Sequence, residues 1–282
     1  MRDLGTPVLD NHLHLDRSGK GIEAVKDFAR SGGTHLLIVN KPSWHLGIEP
    51  ETGADFMAVF EETRSLVREA TEVLPGRAWP VLGVHPALIS RLLDDRDMSV
   101  EAARDLMMDG LDAAGEIAAD SDVVAIKSGR PHYAVDDAVW AASNAVLRHA
   151  ISVAADAGVA LQLHTEGTED LTEIAEWATE RGLSPKKVIK HYSSGRLTGI
   201  TPSVMSRKEN LETAIETGDP FLMETDFVDD PDRPGMVMGP KTVPRRVNWL
   251  RENGRTDAVE RAHVETPRSV YGIDTRATLD RA

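Results

Sequence analysis

The chain has 282 residues, 41% of them hydrophobic, enough for one large α/β domain, since a single α/β barrel needs about 250 residues. It has no cysteine, which excludes disulfides, thiolate ligands and a cysteine nucleophile, and no apolar run approaches the roughly 18 residues of a membrane span. The formal net charge of −14 repels nucleic-acid phosphates at low salt, yet with Arg, Asp and Glu abundant it resembles a salt-adapted surface and says little about substrate.

The chain opens on MRDLGTPVLDNHLH, without the basic-then-apolar pattern of an export signal, so a cytoplasmic location is expected. Apolar runs then alternate with helix-period segments, the pattern of a parallel sheet with crossover helices. Strands are predicted at Val8–Leu13, His35–Asn40, Trp79–His85, Val123–Lys127, Val159–His164, Val188–Tyr192, Ile200–Val204 and Phe221–Thr225, which makes eight. Most are short and rich in Val, Ile and Leu, as strands covered on both faces are. The seventh is the least regular, because Pro202 interrupts it.

Amphipathic helices are predicted at Ile22–Ser31, Phe56–Val73, Val100–Ala119, Asp136–Ala157, Leu171–Arg181, Lys208–Thr217 and Pro244–Asn253. Gly32-Gly33 closes the first, and Thr168 with Asp170 opens the fifth. The segment Asp257–Gly272 is expected to pack a last short helix on the barrel exterior. This order implies an α/β fold, a (β/α)₈ TIM-type barrel folded as a single domain over residues 1–282. The stretch 227–242, FVDDPDRPGMVMGPKT, follows the eighth strand and is either a functional loop over the C-terminal mouth or a plain surface excursion.

The chemistry collects at strand ends. His12 and His14, in Asp10-Asn11-His12-Leu13-His14, stand two residues apart on a strand and so point the same way, as two imidazoles on one metal would. Lys127 ends the fourth strand, His164 the fifth, His191 the sixth, and Asp226 the eighth. Barrel enzymes carry their working groups at these ends, so a joint metal site at the C-terminal mouth is expected. Around it, Arg130 and His132 follow the fourth strand, and Arg130 either meets a phosphate or carboxylate or sits in a loop ion pair. Lys41, Trp44 and His45 follow the second strand and could line the pocket, and His85 ends the third. Glu166 shares a face with His164 and is expected to support the ligands. Glu224 points into the barrel and needs an Arg or His partner. His35, His149 and His263 are expected to be structural.

HxH on strand one, a bridging residue on strand four, His on strands five and six and Asp on strand eight resemble the amidohydrolase (urease-like) superfamily. GVHP at Gly83–Pro86 and ETD at Glu224–Asp226 resemble, more narrowly, the TatD family of metal-dependent hydrolases. NKPSWHLG, AIKSGRPHY, QLHTEGTED, VIKHYS and METDFVDDPDRPG resemble an archaeal TatD-related group over nearly the whole chain.

The resemblance implies two divalent ions, Zn²⁺ best suited to imidazole and carboxylate-type oxygen, with Mn²⁺, Co²⁺ or Ni²⁺ as alternatives. His12, His14 and Asp226 would hold one, His164 and His191 the other, with Lys127 bridging. TatD enzymes carry Glu on strand four, where this chain has Lys127; Glu116, in Gly115-Glu116-Ile117, belongs to a helix instead. In the urease and phosphotriesterase branches the strand-four lysine is carboxylated by CO₂, so Lys127 is expected to be a carbamate bridge. The alternative is an unmodified lysine that pairs with Asp226 or binds an anionic substrate beside a single metal. Asp226 would carry a proton from water to the leaving group. Three functions stand: phosphoester hydrolysis of a nucleic acid or small-molecule ester, hydrolysis of an amide, lactone or phosphotriester, and a metal-bearing scaffold without catalysis. The sequence leaves oligomeric state undetermined and implies no membrane partner.

Overall fold

A computed structural model describes residues 5–230, 232 and 237–280. Its strands are β1 (Leu9–His14), β2 (His35–Val39), β3 (Ala78–Gly83), β4 (Ala125–Gly129), β5 (Ala160–His164), β6 (Val188–Ser193), β7 (Thr201–Met205), β8 (Leu222–Glu224) and β9 (Phe227–Val228). The helices are α1 (Ile22–Arg30), α2 (Phe56–Val73), α3 (Leu88–Asp94), α4 (Val100–Ala119), α5 (Asp137–Asp156) and α6 (Thr172–Glu180). They continue as α7 (Lys208–Thr217), α8 (Thr242–Glu252), α9 (Thr256–Glu260), α10 (Thr266–Tyr271) and α11 (Thr275–Asp280).

Neighbouring strands are parallel and run in the order β8-β7-β6-β5-β4-β3-β2-β1-β9. β1 pairs with β2 on one edge and with β9 on the other, Leu13 opposite Phe227 and His14 opposite Val228. Because β8 and β9 are one strand broken at Thr225-Asp226, the sheet closes on itself as a (β/α)₈ barrel. The circuit is uneven: two helices, α3 and α4, separate β3 from β4, and residues 194–200 join β6 to β7 without a helix. Glu116 lies exposed on α4, as its sequence context predicts.

Two expectations need correction. The eighth strand stops at Glu224 rather than Thr225, and the segment expected to be a loop from Phe227 begins with a strand. The cause is local. Thr225 gives its N–H and hydroxyl to the Asp10 carboxylate (3.0 and 2.7 Å), and the Asp226 N–H donates to the His12 carbonyl (3.0 Å), which turns the chain back onto β1. Residues 231 and 233–236 of that segment lie outside the described residues.

The second correction concerns the C-terminal helices. Inward-facing Leu9, Leu37, Val39, Val81, Ala125, Ala160, Ile189 and Leu222 form an apolar layer in the lower barrel, and Val270 and Ile273 pack against it. The end of α10 is therefore a floor of the barrel and not an exterior element. Leaving these two side chains on the outside would forgo roughly 1.5–3 kcal/mol of burial apiece. Outside the strands, Leu82, Ile126 and Leu161 pack under α2, α4 and α5 with Phe60, Leu111 and Leu147.

His263 and His35 are buried. The His263 Nδ1 accepts the Leu9 N–H at 3.0 Å, and His35 lies between the hydroxyls of Thr34 (2.6 Å) and Thr278 (2.9 Å). His149 pairs with Asp112 at 2.7 Å on the surface. No helix among the described residues is long and apolar enough to cross a membrane.

Candidate metal centre

Three of the strands that deliver the site are irregular where the site lies. β1 advances three residues, Asp10 to Leu13, while β2 advances two, Leu36 to Ile38. The extra residue is a β-bulge, a device that re-aims side chains at barrel rims. Leu9 faces the interior layer and Leu13 packs outside with Val25 and Phe28, so the alternation slips by one within β1. β6 repeats the device. Lys190 to Ser193 spans three residues against two on β7, and Tyr192 takes a left-handed φ of 59°. Asp226, in the break between β8 and β9, has φ 48°. Non-glycine residues in this region are strained and cluster at functional sites.

The hydrogen bonds fix both imidazoles of β1. His14 Nδ1 lies 2.9 Å from the Val39 carbonyl, which only accepts, so Nδ1 carries the proton and Nε2 is bare. Gln162 donates its amide N–H to the Asn11 carbonyl (3.1 Å), which orients its Oε1 towards His12 Nδ1 at 2.7 Å. His12 Nε2 is therefore bare as well. The two bare Nε2 atoms stand 3.3 Å apart, and Asp226 Oδ1 lies 3.9 Å from each. Burial keeps both rings neutral, holding His14 down at about 3 and His12 well below the ordinary histidine range. The two Nε2 lone pairs and the Asp226 carboxylate converge on one space, where the Lys127 amine also stands 3.3 Å from His12 Nε2, and a divalent cation there would be attracted to all three. The donor set fits a divalent ion of the imidazole-preferring class.

Lys127 projects from β4 into the same space, its Nζ 3.3 Å from His12 Nε2. Burial lowers its pKa, with Asp226 and Glu224 opposing, while burial raises that of Asp226 against the pull of Lys127. The His191 ring stacks on His12 with centroids 4.1 Å apart. His12, His191 and Asp226 each offer a ligand atom within 4.8 Å of the others. His164 Nδ1 lies 2.7 Å from His191 Nε2, and its Nε2 lies 2.8 Å from His132 Nδ1 at the rim. Glu224 is fully buried, and its hydrogen-bond donors are the Ser203 hydroxyl and the Tyr192 N–H (2.6 Å) where sequence suggested an Arg or His; His191 Nδ1 stands 3.4 Å from Oε1 without a hydrogen bond.

Comparison with known proteins places the chain in a family. A family profile described as "TatD related DNase" matches residues 9–272. The chain belongs to the TatD-related DNase family. An uncharacterized protein of Methanocaldococcus jannaschii is 36% identical over 281 residues, covering 95% of this chain and 96% of that one. Among solved structures, an organophosphorus hydrolase from Deinococcus radiodurans superposes with a TM-score of 0.60 at 13% identity, covering 96% of this chain and 94% of that one. A mutant of a phosphotriesterase-like lactonase from the same organism gives 0.61 at 14%, covering 96% and 98%. At these identities the structural likeness speaks for the barrel alone.

Within this TatD-related chain the other residues singled out from sequence divide in two. His85 and His132 border the centre, each with its ring centroid 4.8 Å from that of His164. His85 Nδ1 accepts the Ala87 N–H at 3.2 Å, and its ring meets Trp44 edge-on at 5.6 Å. His45 is exposed, 5.7 Å from the Trp44 ring. Arg130, Glu166 and Lys41 are held elsewhere. Arg130 is buried, donates to both oxygens of Glu166 and to Asn144 Oδ1 (2.9 Å), and lies over the Trp140 ring at 4.6 Å. Glu166 therefore sits on Arg130 and not behind His164. Lys41 Nζ bonds the Asp16 carboxylate at 2.5 Å and the Asp229 carbonyl at 2.8 Å, which ties the β1–α1 loop to the segment after β9. Asn11, Gln162, Ser203 and Tyr271, a polar layer beneath the histidines, were not anticipated. The alternation rule does place Gln162 on the face of His164, but an inward Gln carries no signal of its own.

Proposed function

We propose that this TatD-related protein is a metal-dependent hydrolase acting on a phosphoester, of a small molecule or of nucleic acid. The observation that carries the reading is the pair of bare Nε2 atoms of His12 and His14 facing Asp226, with Lys127 and His191 beside them. Two Zn²⁺ ions, or Mn²⁺, Co²⁺ or Ni²⁺, would be held by His12, His14 and Asp226 and by His164 and His191. Bound there, they supply Lewis acidity and water that is acidic near neutral pH.

The chain's own residues do the rest. Asp226, its carboxyl raised by burial, takes the proton of the attacking water and returns it to the leaving-group oxygen, so no net proton is gained or lost. His132 and His85 at the rim flank the substrate. Lys127, lowered by burial, presents a neutral amine fraction, and its nitrogen lone pair adds to CO₂ with loss of one proton to give a carbamate with two oxygens.

A second reading, hydrolysis of a lactone or phosphotriester, is favoured by two observations. Lys127 stands where TatD enzymes carry Glu, and Arg130 and Lys41 are both tied to carboxylates instead of being offered to a charged phosphate. Incubating the metal-loaded protein with p-nitrophenyl phosphodiesters, single-stranded DNA, lactones and a phosphotriester separates the readings. Turnover of phosphodiester or DNA supports the first, and turnover confined to lactone or triester supports the second. Metal binding with no turnover of any class would leave only a scaffold.

A further inference from the structure

A cavity of about 810 Å³ lies at the end of the barrel opposite the metal centre. Residues 184–186, 197–202 and 218–220, which lead into β6, β7 and β8, form one side of it, and residues between Arg261 and Val270 form the other. Its origin is topological. Residues 194–200 join β6 to β7 without a helix, and a crossover helix there would fill space that this short connection leaves open. Leu197, Ile200, Pro202, Pro220 and Val270 give the cavity apolar walls. Val270 also packs on the apolar layer of the lower barrel, which stands between the cavity and the histidines. The volume falls within the roughly 300–1,000 Å³ of small-molecule sites.

Two residues of the lining each carry an enclosed polar atom with no hydrogen-bond partner among the described residues. Thr266 is 2% exposed, and its hydroxyl is one of them. Helical threonines of this chain return the hydroxyl to the carbonyl four residues back, as Thr63, Thr179 and Thr213 do. Thr266 follows a single π-turn, Arg261–Glu265, a wider turn in which that carbonyl is out of register. Arg261, at the start of the turn, is half-buried, and its Nη1 is the second enclosed atom. It pairs with no carboxylate among the described residues. An enclosed guanidinium N–H without an acceptor is costly, and a carboxylate or phosphate oxygen is the acceptor it binds best. The other charged residues of the lining, Lys186, Asp219 and Glu265, are exposed and hydrated, so the choice of ligand falls to Arg261.

We propose that this cavity is a second binding site, separate from the metal centre, for a small amphipathic anion. A carboxylate or phosphate head meets Arg261 and Thr266, and an apolar body lies against Ile200, Pro202, Pro220 and Val270. The inference does not depend on the metal-site reading above.

The test uses anilinonaphthalene sulfonate, a fluorescent anion of this build, titrated into the folded protein. The parent is expected to bind it saturably, and octanoate or octyl phosphate is expected to displace it at least about tenfold better than uncharged octanol. The better of the two anions names the head group. Arg261→Met keeps the apolar stem and removes the guanidinium, so the preference for the charged competitors is expected to vanish. Ser269→Trp places a large ring in the cavity from an exposed position on α10 and is expected to weaken probe binding at least about tenfold. It serves should Arg261→Met fail to fold. Three results overturn the proposal: no saturable binding by the parent, displacement by octanol as good as by octanoate and octyl phosphate, or parent-like binding in folded Ser269→Trp.

Discussion

His12 Nε2 and His14 Nε2 stand 3.3 Å apart with both Nδ1 atoms committed, one to Gln162 Oε1 and one to the Val39 carbonyl. Two imidazoles on one strand would normally avoid such an approach. Alternation along β1 puts both rings on one side, and the buried acceptors behind the rings keep each N–H turned away from the shared space. The site is therefore preorganised for a cation before one arrives. Replacing His14 by Asn removes one of the two Nε2 donors at a buried position. Calorimetric titration with Zn²⁺ is expected to show at least a hundredfold weaker binding at the tight site, with the circular dichroism spectrum retained. Parent-like affinity would remove His14 from the centre.

Asp226→Asn keeps a side chain of the same shape at the φ 48° position, and Asn tolerates that conformation better than most residues. The fold is expected to survive. Turnover on whichever ester the parent hydrolyses is expected to drop about 10²–10⁴-fold, because the amide cannot ferry a proton. Near-parent turnover in a metal-loaded sample would contradict the proton-transfer role.

Arg130 and Glu166 are expected to matter for stability and not for substrate. Arg130→Lys loses the two-pronged contact with Glu166 and the stacking over Trp140, lowering unfolding free energy by about 1–3 kcal/mol in urea titration. KM is expected to stay within about twofold. A large rise in KM with unchanged stability would mean that Arg130 leaves Glu166 to meet the substrate.

His263 gives a pH dependence of defined sign. Burial holds its pKa down at about 3, against an unfolded value of 6.5. The unfolded chain therefore takes up this proton first as pH falls. The stabilisation is fully present above 6.5 and drains away towards pH 3. In that window each such histidine contributes a slope of about 1.4 kcal/mol per pH unit. His263→Asn retains an oxygen for the Leu9 N–H and removes the titration. The stability of the variant between pH 6 and 4 is expected to fall less steeply than the parent's by about one proton; equal slopes would place the proton elsewhere.

Gly129 shows how tightly the barrel strands approach. A Cβ there would collide with the backbone carbonyl of His164 on β5, and one at Gly83 with that of Lys127 on β4. Gly129→Ala is expected to lose at least about 2 kcal/mol of stability or fail to fold. Parent-like melting would mean that β4 and β5 are further apart than described.

The strand positions were legible because strands covered on both faces read as short apolar runs. The HxH spacing was legible because side chains on a strand alternate. What escaped is what departs from regularity. A bulge adds one residue with no characteristic identity, so the slip at Asn11-His12 and the turn at Tyr192 leave no trace in the residue pattern. β9 has two residues, too few for any periodicity, and exists because Thr225 binds Asp10. Arg130 read as a mouth residue because its partners Glu166, Asn144 and Trp140 come from other segments. Tyr271 was hidden for the same reason, at the end of a helix expected on the exterior.

Crystals grown with Zn²⁺ and measured at the zinc absorption edge test the central claim most directly. The account predicts an anomalous peak about 2.0–2.1 Å from Nε2 of both His12 and His14 with Asp226 as a further ligand. It also predicts a second peak beside His191 and branched density on Lys127 Nζ reaching towards both. No peak inside the barrel, with the two Nε2 atoms still 3.3 Å apart, would contradict it.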